Sequence, residues 1–331
     1  MHSPYPDLDF AIRRLGGRVP LAWVRSLQGS AANFGDTASA IVVAALGGLA
    51  PVSQAFDDPT TRLVAVGTIG QAIRFGTAHL WGTGVDPRRR AFGRLDASFA
   101  AAPDTTYVIH ATRGPHSRRT LLDAGLHAPP IYGDGAWFLP RILPGTVVKR
   151  HELGVIPHLS ELEGLQPDAI SRHPRHAGGA ADGVRVISTL HAPDLAAFQA
   201  KFDEIRACRR IVSSSFHGLM IAEACGIPCL YFPYGLPGAR MESIVGAPPH
   251  IDNRLSDFYG GAGRSGIATY AQPAAAPTPW DAVIAAVDRL WTPLEHPGAV
   301  TFLEAFPLTR RFGLGDAHWP LPAGLMQGVP L

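Results

Sequence analysis

Cysteine, charge and long apolar runs are all scarce in this chain of 331 residues. It holds 3 cysteines and 17 % charged residues, and no stretch approaches the ~20 consecutive apolar residues of a membrane-spanning helix. Each scarcity excludes something. Cys208, Cys225 and Cys229 are odd in number and lack CxxC spacing, so no disulfide and no structural zinc is expected, and they read as core thiols. A formal net charge of +2 is too small for a dedicated nucleic-acid binder. "RRR" at residues 88–90 and the pair Arg118, Arg119 are local positive spots of the kind that form a solvated face. The start "MHSPYPDLDF" has no charged segment leading into an apolar core, so a cytoplasmic protein is expected.

What is abundant is apolar surface. Hydrophobic residues make up 46 %, which excludes a largely disordered chain, and the length exceeds what one core usually serves. Two domains are therefore expected, at residues 1–150 and 151–331. Short β-branched runs alternate with helical periods throughout, the pattern of an α/β protein. In the first half, "RVPLAWVRS" (18–26), "TRLVAVG" (61–67) and "TTYVIHA" (105–111) read as strands. "TASAIVVAAL" (37–46) reads as a helix with Asp36 as its N-cap and Gly47 and Gly48 at its end. The glycines of "GTIGQAI" (67–73) and "WGTGV" (81–85) read as backbone turns, because no full dinucleotide fingerprint surrounds them.

The second half opens with a strand at residues 154–156 and continues as a β-α-β-α-β run. "GVRVIST" (183–189) is a strand. In "APDLAAFQAKFDEIRACRR" (192–210), Pro193 suits a first helical turn and Leu195, Phe198, Phe202 and Ile205 share one face. "RIVSSS" (210–215), "FHGLMIAEAC" (216–225) and "PCLYFPY" (228–234) follow as strand, helix and strand. Strands this apolar suit a parallel sheet covered on both faces. "SRHPRHAGG" (171–179), with His173 and His176, reads as a mobile polar loop rather than a metal site.

Ser213, Ser214 and Ser215 stand where a strand passes into a helix, and His217 lies in that helix's first turn. Parallel α/β sheets bind ligands at the carboxyl ends of their strands, and a helix start offers free N–H groups and a positive dipole end. A phosphate or carboxylate fits there, with His217 as a proton donor near neutral pH. The helix terminus disfavours the imidazolium, so a bound anion has to compensate. The alternative is that the serines only cap the helix.

"IVSSSFHGLMIAEACGIP" (211–228) resembles the serine and histidine segment of the polysaccharide pyruvyltransferases. "NFGD" (33–36), "RGPHS" (113–117), "YGDGAWFLP" (132–140), "GVIPH" (154–158) and "NRLSDFY" (253–259) are similar to further family segments, in the family's order. Ser215 stands where many relatives carry arginine, and Gly135 where the family's turn has proline. The resemblance implies two Rossmann-like domains facing across a cleft, as in GT-B glycosyltransferases. The N-terminal domain would lie on the acceptor side. It also implies transfer of pyruvate from phosphoenolpyruvate to two hydroxyls of one sugar, giving a cyclic ketal and phosphate in the making of an exopolysaccharide or capsule.

That chemistry needs an acid for the enol C3, a site that tolerates positive charge at C2, and acceptors for two hydroxyl protons. The roles implied are His217 as acid/base, Arg113 as a forked clamp on the donor, and Ser213, Ser214, Ser215 and Arg254 as the rest of an anion cradle. Asn33, Asp36 and His158 fall on the acceptor side. No metal and no cofactor is implied beyond the donor substrate. A sugar acceptor is expected, a lipid-linked oligosaccharide among its forms, together with peripheral contact at the inner membrane face. Two other readings stay open: a GT-B glycosyltransferase using a nucleotide sugar, and a non-catalytic glycan- or phosphate-binding module on the same scaffold.

Overall fold

The computed structural model describes residues 1–25, 31–88, 98–177, 183–246 and 248–331. Ser26, Arg89, Arg90, Gly178 and Gly179, named in the readings above, lie outside them. The first half runs α1 (Pro6–Arg14), β1 (Val19–Ala22), β2 (Ala32–Asn33), α2 (Phe34–Gly47), β3 (Pro51–Ser53), β4 (Arg62–Val64), β5 (Gly76–Thr83), β6 (Thr105–Thr112), α3 (Pro115–Asp123) and α4 (Leu139–Ile142). The second runs β7 (Leu153–Ile156), β8 (Val184–Val186), β9 (Leu190–His191), α5 (Leu195–Arg206), β10 (Ile211–Ser213), α6 (Phe216–Ala224), β11 (Cys229–Tyr231), β12 (Gly238–Ser243), α7 (Asn253–Gly261), β13 (Gly266–Ala271), α8 (Trp280–Leu290) and α9 (Ala299–Glu304).

Each half builds a sheet. The first is parallel, in the order β3-β1-β4-β5-β6. The second, β12-β13-β11-β10-β7-β8, is parallel except for the antiparallel edge strand β12. A short antiparallel ladder, β2 with β9, ties the start of α2 to the second half.

α2 is apolar on every side, as expected of a helix buried all round, and it ends where Gly48 turns left-handed (φ 67°). One contiguous core runs from Leu21 and Leu63 through Ile41 and Val42 of α2 to Ile156, Phe202 and Leu219. Phe34 stacks on Phe198 with centroids 4.2 Å apart, and truncating such a buried ring costs about 3–5 kcal/mol. Smaller clusters cover the outer face of each sheet, one with α8 and one with Leu121 of α3. The chain's end packs back on the first half: Phe302 of α9 stacks on Trp81, whose Nε1 donates to the Phe302 carbonyl at 2.8 Å. Among the described residues no helix is long and apolar enough to cross a membrane.

Several expectations need correction. α2 begins at Phe34 with Asn33 as N-cap, so Asp36 sits inside the first turn. Asp194 caps α5 through Ala197 N, which leaves Pro193 outside the helix. Trp81, Gly82 and Thr83 are the end of β5 rather than a turn. Residues 174–176 form a 3₁₀ turn in which Arg175 and His176 are buried, because backbone carbonyls and Glu161 take up the guanidinium.

Candidate active site

The carboxyl ends of β7, β10 and β11 open on a cavity of about 170 Å³ lined by His158, Ser214, Tyr231, Tyr234, Asp252 and Arg254, among others. This is the edge at which parallel α/β sheets hold ligands. The Ser213 hydroxyl is fully buried, donating to the Ile156 carbonyl (2.8 Å) and accepting from Ser215 N (2.9 Å). That bond shapes the turn into α6. Gly218 permits it, since a Cβ there would lie 2.4 Å from Ser213 Oγ. The Ser214 hydroxyl donates to Glu161 and accepts from His158 N. Ser215 is the N-cap of α6 but makes no side-chain cap bond, so its hydroxyl is not what satisfies the helix start.

His217 projects from the first turn of α6 with its side chain 12 % exposed. Its ring presses on the start of α2 so closely that a Cβ on Gly35 would sit 1.8 Å from Nδ1, which is why the NFGD segment needs glycine there. Nε2 is buried without a hydrogen-bond partner, 3.9 Å from Oδ2 of Asp134, which is also buried and unpartnered. Burial, reinforced by the Arg254 and Arg113 guanidiniums, lowers the imidazole to about 3. Burial raises Asp134 to about 6, against a bond from Ala136 N.

Arg113, at the end of β6, is 1 % exposed. Its Nε donates to Asp257 Oδ2 (3.3 Å) and its Nη1 to Thr68 Oγ1 (2.6 Å), while Nη2 is buried with no partner. The guanidinium lies 5.0 Å from the Phe216 ring centroid and fills the space where a Cβ on Gly84 would be. Asp257 is itself fixed by His116 N, Ser117 N and the Ser117 hydroxyl. Across the site, Arg254 of α7 forms a forked pair with Asp252, its Nε 3.0 Å from Oδ1 and its Nη2 2.5 Å from Oδ2. Asp36 is pushed up to about 7 by burial, which outweighs the opposing Arg254 charge and the Asn33 amide.

A family profile described as polysaccharide pyruvyl transferase matches residues 33–235, more than half of the chain. The chain belongs to the polysaccharide pyruvyl transferase family. Comparisons with curated proteins and with solved structures return no match. The match begins at Asn33, the N-cap of α2, and takes in Arg113, Asp134 and His217; Arg254 lies beyond it.

Within this pyruvyl transferase, the residues singled out by sequence divide by what their side chains do. His217, Arg113, Arg254 and Asp36 form one electrostatically coupled group. Ser214, His158 and Arg254 share the cavity wall. Ser213 is internal to its turn. Asn33 caps α2 by accepting from Gly35 N, and His158 caps a 3₁₀ turn by accepting from Ser160 N, so both hold local structure at the rim. Sequence reasoning missed Asp134, Asp252, Asp257 and Thr68 as members of the constellation. Asp134 and Asp257 stood inside quoted segments, but only the fold shows that one faces His217 and the other holds Arg113.

Proposed function

We propose that this chain transfers the pyruvyl group of phosphoenolpyruvate to two hydroxyls of one sugar in a polysaccharide precursor, closing a cyclic ketal and releasing inorganic phosphate. Family membership supports a transferase that acts on a sugar acceptor. The observation that carries the donor is the pairing of an unpartnered, buried Arg113 Nη2 with a neutral, unpartnered His217. A buried guanidinium N–H without an acceptor is costly, and a phosphate or carboxylate oxygen supplies what it lacks.

In this reading the anion binds between Arg113 and Arg254, at the open start of α6. It offsets the Arg254 and Arg113 charges that add to burial in depressing the imidazole, and so favours the protonated form of His217 in the complex over that in the free protein. The neutral imidazole takes the proton of the first hydroxyl as its oxygen bonds to C2, and returns that proton to C3, which becomes the methyl carbon. The second hydroxyl then bonds to C2 as the C2–O bond to phosphate breaks, and its proton leaves with phosphate. Residues 1–150 and 151–331 act as two Rossmann-like domains that bring acceptor and donor together across a cleft. The acceptor reaches them from the cytoplasmic side, and a lipid-linked oligosaccharide fits that arrangement.

The test is ligand-induced stabilisation followed by turnover. Phosphoenolpyruvate is expected to raise Tm, since a ligand at 100 times its Kd adds about 2.7 kcal/mol, and phosphate release is expected to depend on a glycan acceptor. Stabilisation by a nucleotide sugar, with none by phosphoenolpyruvate, would overturn this function in favour of glycosyl transfer.

A further inference from the structure

The fold places one more group against His217, and nothing about the donor explains it. Asp134 is fully buried, and Oδ1 is fixed by Ala136 N at 3.0 Å while Oδ2 has no partner. The backbone around it is pinned on both sides. A Cβ on Gly133 would meet the Phe302 ring at 2.5 Å, and one on Gly135 would meet Trp81 at 3.0 Å. The carboxylate is therefore aimed, and it is aimed at His217 Nε2, 3.9 Å away and equally unpartnered.

We propose that Asp134 is the positioning residue of His217: its carboxylate holds the imidazole in the Nε2–H tautomer and leaves Nδ1 as the nitrogen that accepts the substrate proton. Other buried polar atoms, Thr37 Oγ1 and Ser39 Oγ among them, also lack a partner, but Asp134 Oδ2 and His217 Nε2 face each other across a gap slightly too long for a hydrogen bond. Closing it would relieve about 1–3 kcal/mol for each unpaired group. A small tilt of the ring closes the gap. The imidazolium formed when Nδ1 takes the hydroxyl proton then donates its Nε2–H to the Asp134 carboxylate, which is ionised above about pH 6 and offsets the imidazolium charge, the division of labour of an orienting acid behind a histidine base. The proton on Nδ1 passes to C3, so neither Asp134 nor His217 is changed at the end of the cycle.

The charges that act on the pair come from two segments. Arg113 after β6 and Asp257 of α7 act on Asp134, while Arg254 and Asp252 at the start of α7, with Arg113, act on His217. With Asp134 at about 6, acid has a defined effect. Protonation turns its oxygen into a donor toward Nε2, which selects the opposite tautomer and removes Nδ1 as a base.

The inference rests on the proposed reaction for its kinetic part only. In ¹⁵N-histidine-labelled protein, with His217 assigned by its loss in His217→Gln, the parent is expected to show the Nε2–H tautomer and Asp134→Asn to lose that preference. The asparagine is isosteric and removes a buried charge, so folding is expected to survive. With phosphoenolpyruvate and acceptor, Asp134→Asn is expected to lower kcat about 10²-fold or more with little change in KM for the donor, and to lose the acidic limb of the kcat profile near pH 6. Asp134→Glu, which restores a carboxylate, is expected to regain part of the rate. An unchanged His217 tautomer in folded Asp134→Asn, or a parental kcat with only a lower Tm, overturns the inference. Absence of phosphate release in the parent overturns the reaction instead, and the tautomer measurement then decides Asp134 by itself.

Discussion

His79 and His217 are both buried imidazoles, and they differ in what their nitrogens touch. His79, on β5, has Nδ1 3.0 Å from His110 Nε2 and Nε2 3.0 Å from Asp7 Oδ2, with the Tyr5 ring edge-on at 5.3 Å. Every polar atom is used, and the result is mechanical: the start of α1 is bonded to the first sheet. His217 has a buried Nε2 bonded to nothing. His191 Nε2 is buried and unpartnered as well, among the Phe34 and Phe198 rings, so what sets His217 apart is that its free nitrogen faces a second unpartnered group, Asp134 Oδ2, at 3.9 Å.

The largest effect should come from exchanging the two rings for glutamine. His217→Gln is expected to keep fold and donor-induced stabilisation while turnover falls about 10²-fold or more, the usual loss for a general acid/base. His79→Gln is expected to lower stability by about 1–3 kcal/mol through its orphaned partners and to leave the kcat of folded enzyme near normal. Denaturation and initial-rate measurements on both variants separate the two roles. Normal turnover in folded His217→Gln would erase the distinction.

The same contrast holds for arginine. Arg175 donates through Nη1 to Pro233 O (2.9 Å) and Gln272 O (3.1 Å), and through Nη2 to Phe232 O (2.8 Å) and Glu161 Oε1 (3.0 Å). It also lies 4.4 Å and 4.2 Å from the ring centroids of Phe232 and Tyr234. Arg113 keeps Nη2 unpaired. Arg113→Lys retains a charge near Asp257 but loses the planar fork, so kcat/KM for phosphoenolpyruvate should fall about tenfold or more, the worth of one charge-assisted hydrogen bond. Arg175→Lys keeps the charge beside Glu161 but leaves buried carbonyls without a donor, so it should cost about 1–3 kcal/mol of stability. Because Arg175 borders the cavity beside Ser214, its effect on the donor KM should be smaller than that of Arg113→Lys rather than nil. Donor-dependent rates at sub-saturating phosphoenolpyruvate check the first, and urea denaturation the second. A parental donor rate in Arg113→Lys would remove it as the clamp.

These contrasts also explain what the sequence could and could not disclose. The run from β7 to β11 was legible because apolar strands and glycine-terminated helices are local patterns, and the serine turn was legible because it lies at a strand end. Arg175 was hidden: a polar segment around His173 and His176 has the composition of a loop, and only tertiary structure brings carbonyls from residues 232, 233 and 272 to its guanidinium. β5 was hidden for a similar reason. Its glycines suggested turns, whereas Gly82 lies under the Phe302 ring and Gly84, just past the strand, makes room for Arg113. The cap of α2 was misjudged because Gly35, a poor residue for a helix, is required within the first turn by the imidazole above it. Asp134 and His217 are 83 positions apart, so no periodicity links them.

The smallest expected effect separates the satisfied cluster from the site by pH. Burial, then the neighbouring His79, lowers His110 to about 3. A histidine whose folded value is depressed contributes stability that is present above about pH 6.5 and lost as pH falls through the folded value. Asp36 runs the other way. Its folded value of about 7 is raised above the ordinary 3.8, so the native state binds more protons than the unfolded chain between those values, and stability falls as pH rises across that window. Asp36→Asn, which resembles the protonated acid, should remove that slope: its Tm should match the parent's near pH 4 and exceed it by pH 8. The Asp36 carboxyl is desolvated but the residue as a whole is half-buried, so solvent screening keeps the difference to a few degrees. Phosphoenolpyruvate, by adding negative charge near Arg254, should raise the folded value of Asp36 further and widen the Tm gap between variant and parent at alkaline pH, whereas Asp7→Asn in the satisfied cluster should show no such response to the ligand. Thermal melts from pH 4 to 8, with and without phosphoenolpyruvate, measure both. A Tm difference between Asp36→Asn and parent that stays flat with pH would show that Asp36 is ionised like a surface carboxylate, and the electrostatic coupling drawn between the start of α2 and Arg254 would fall with it.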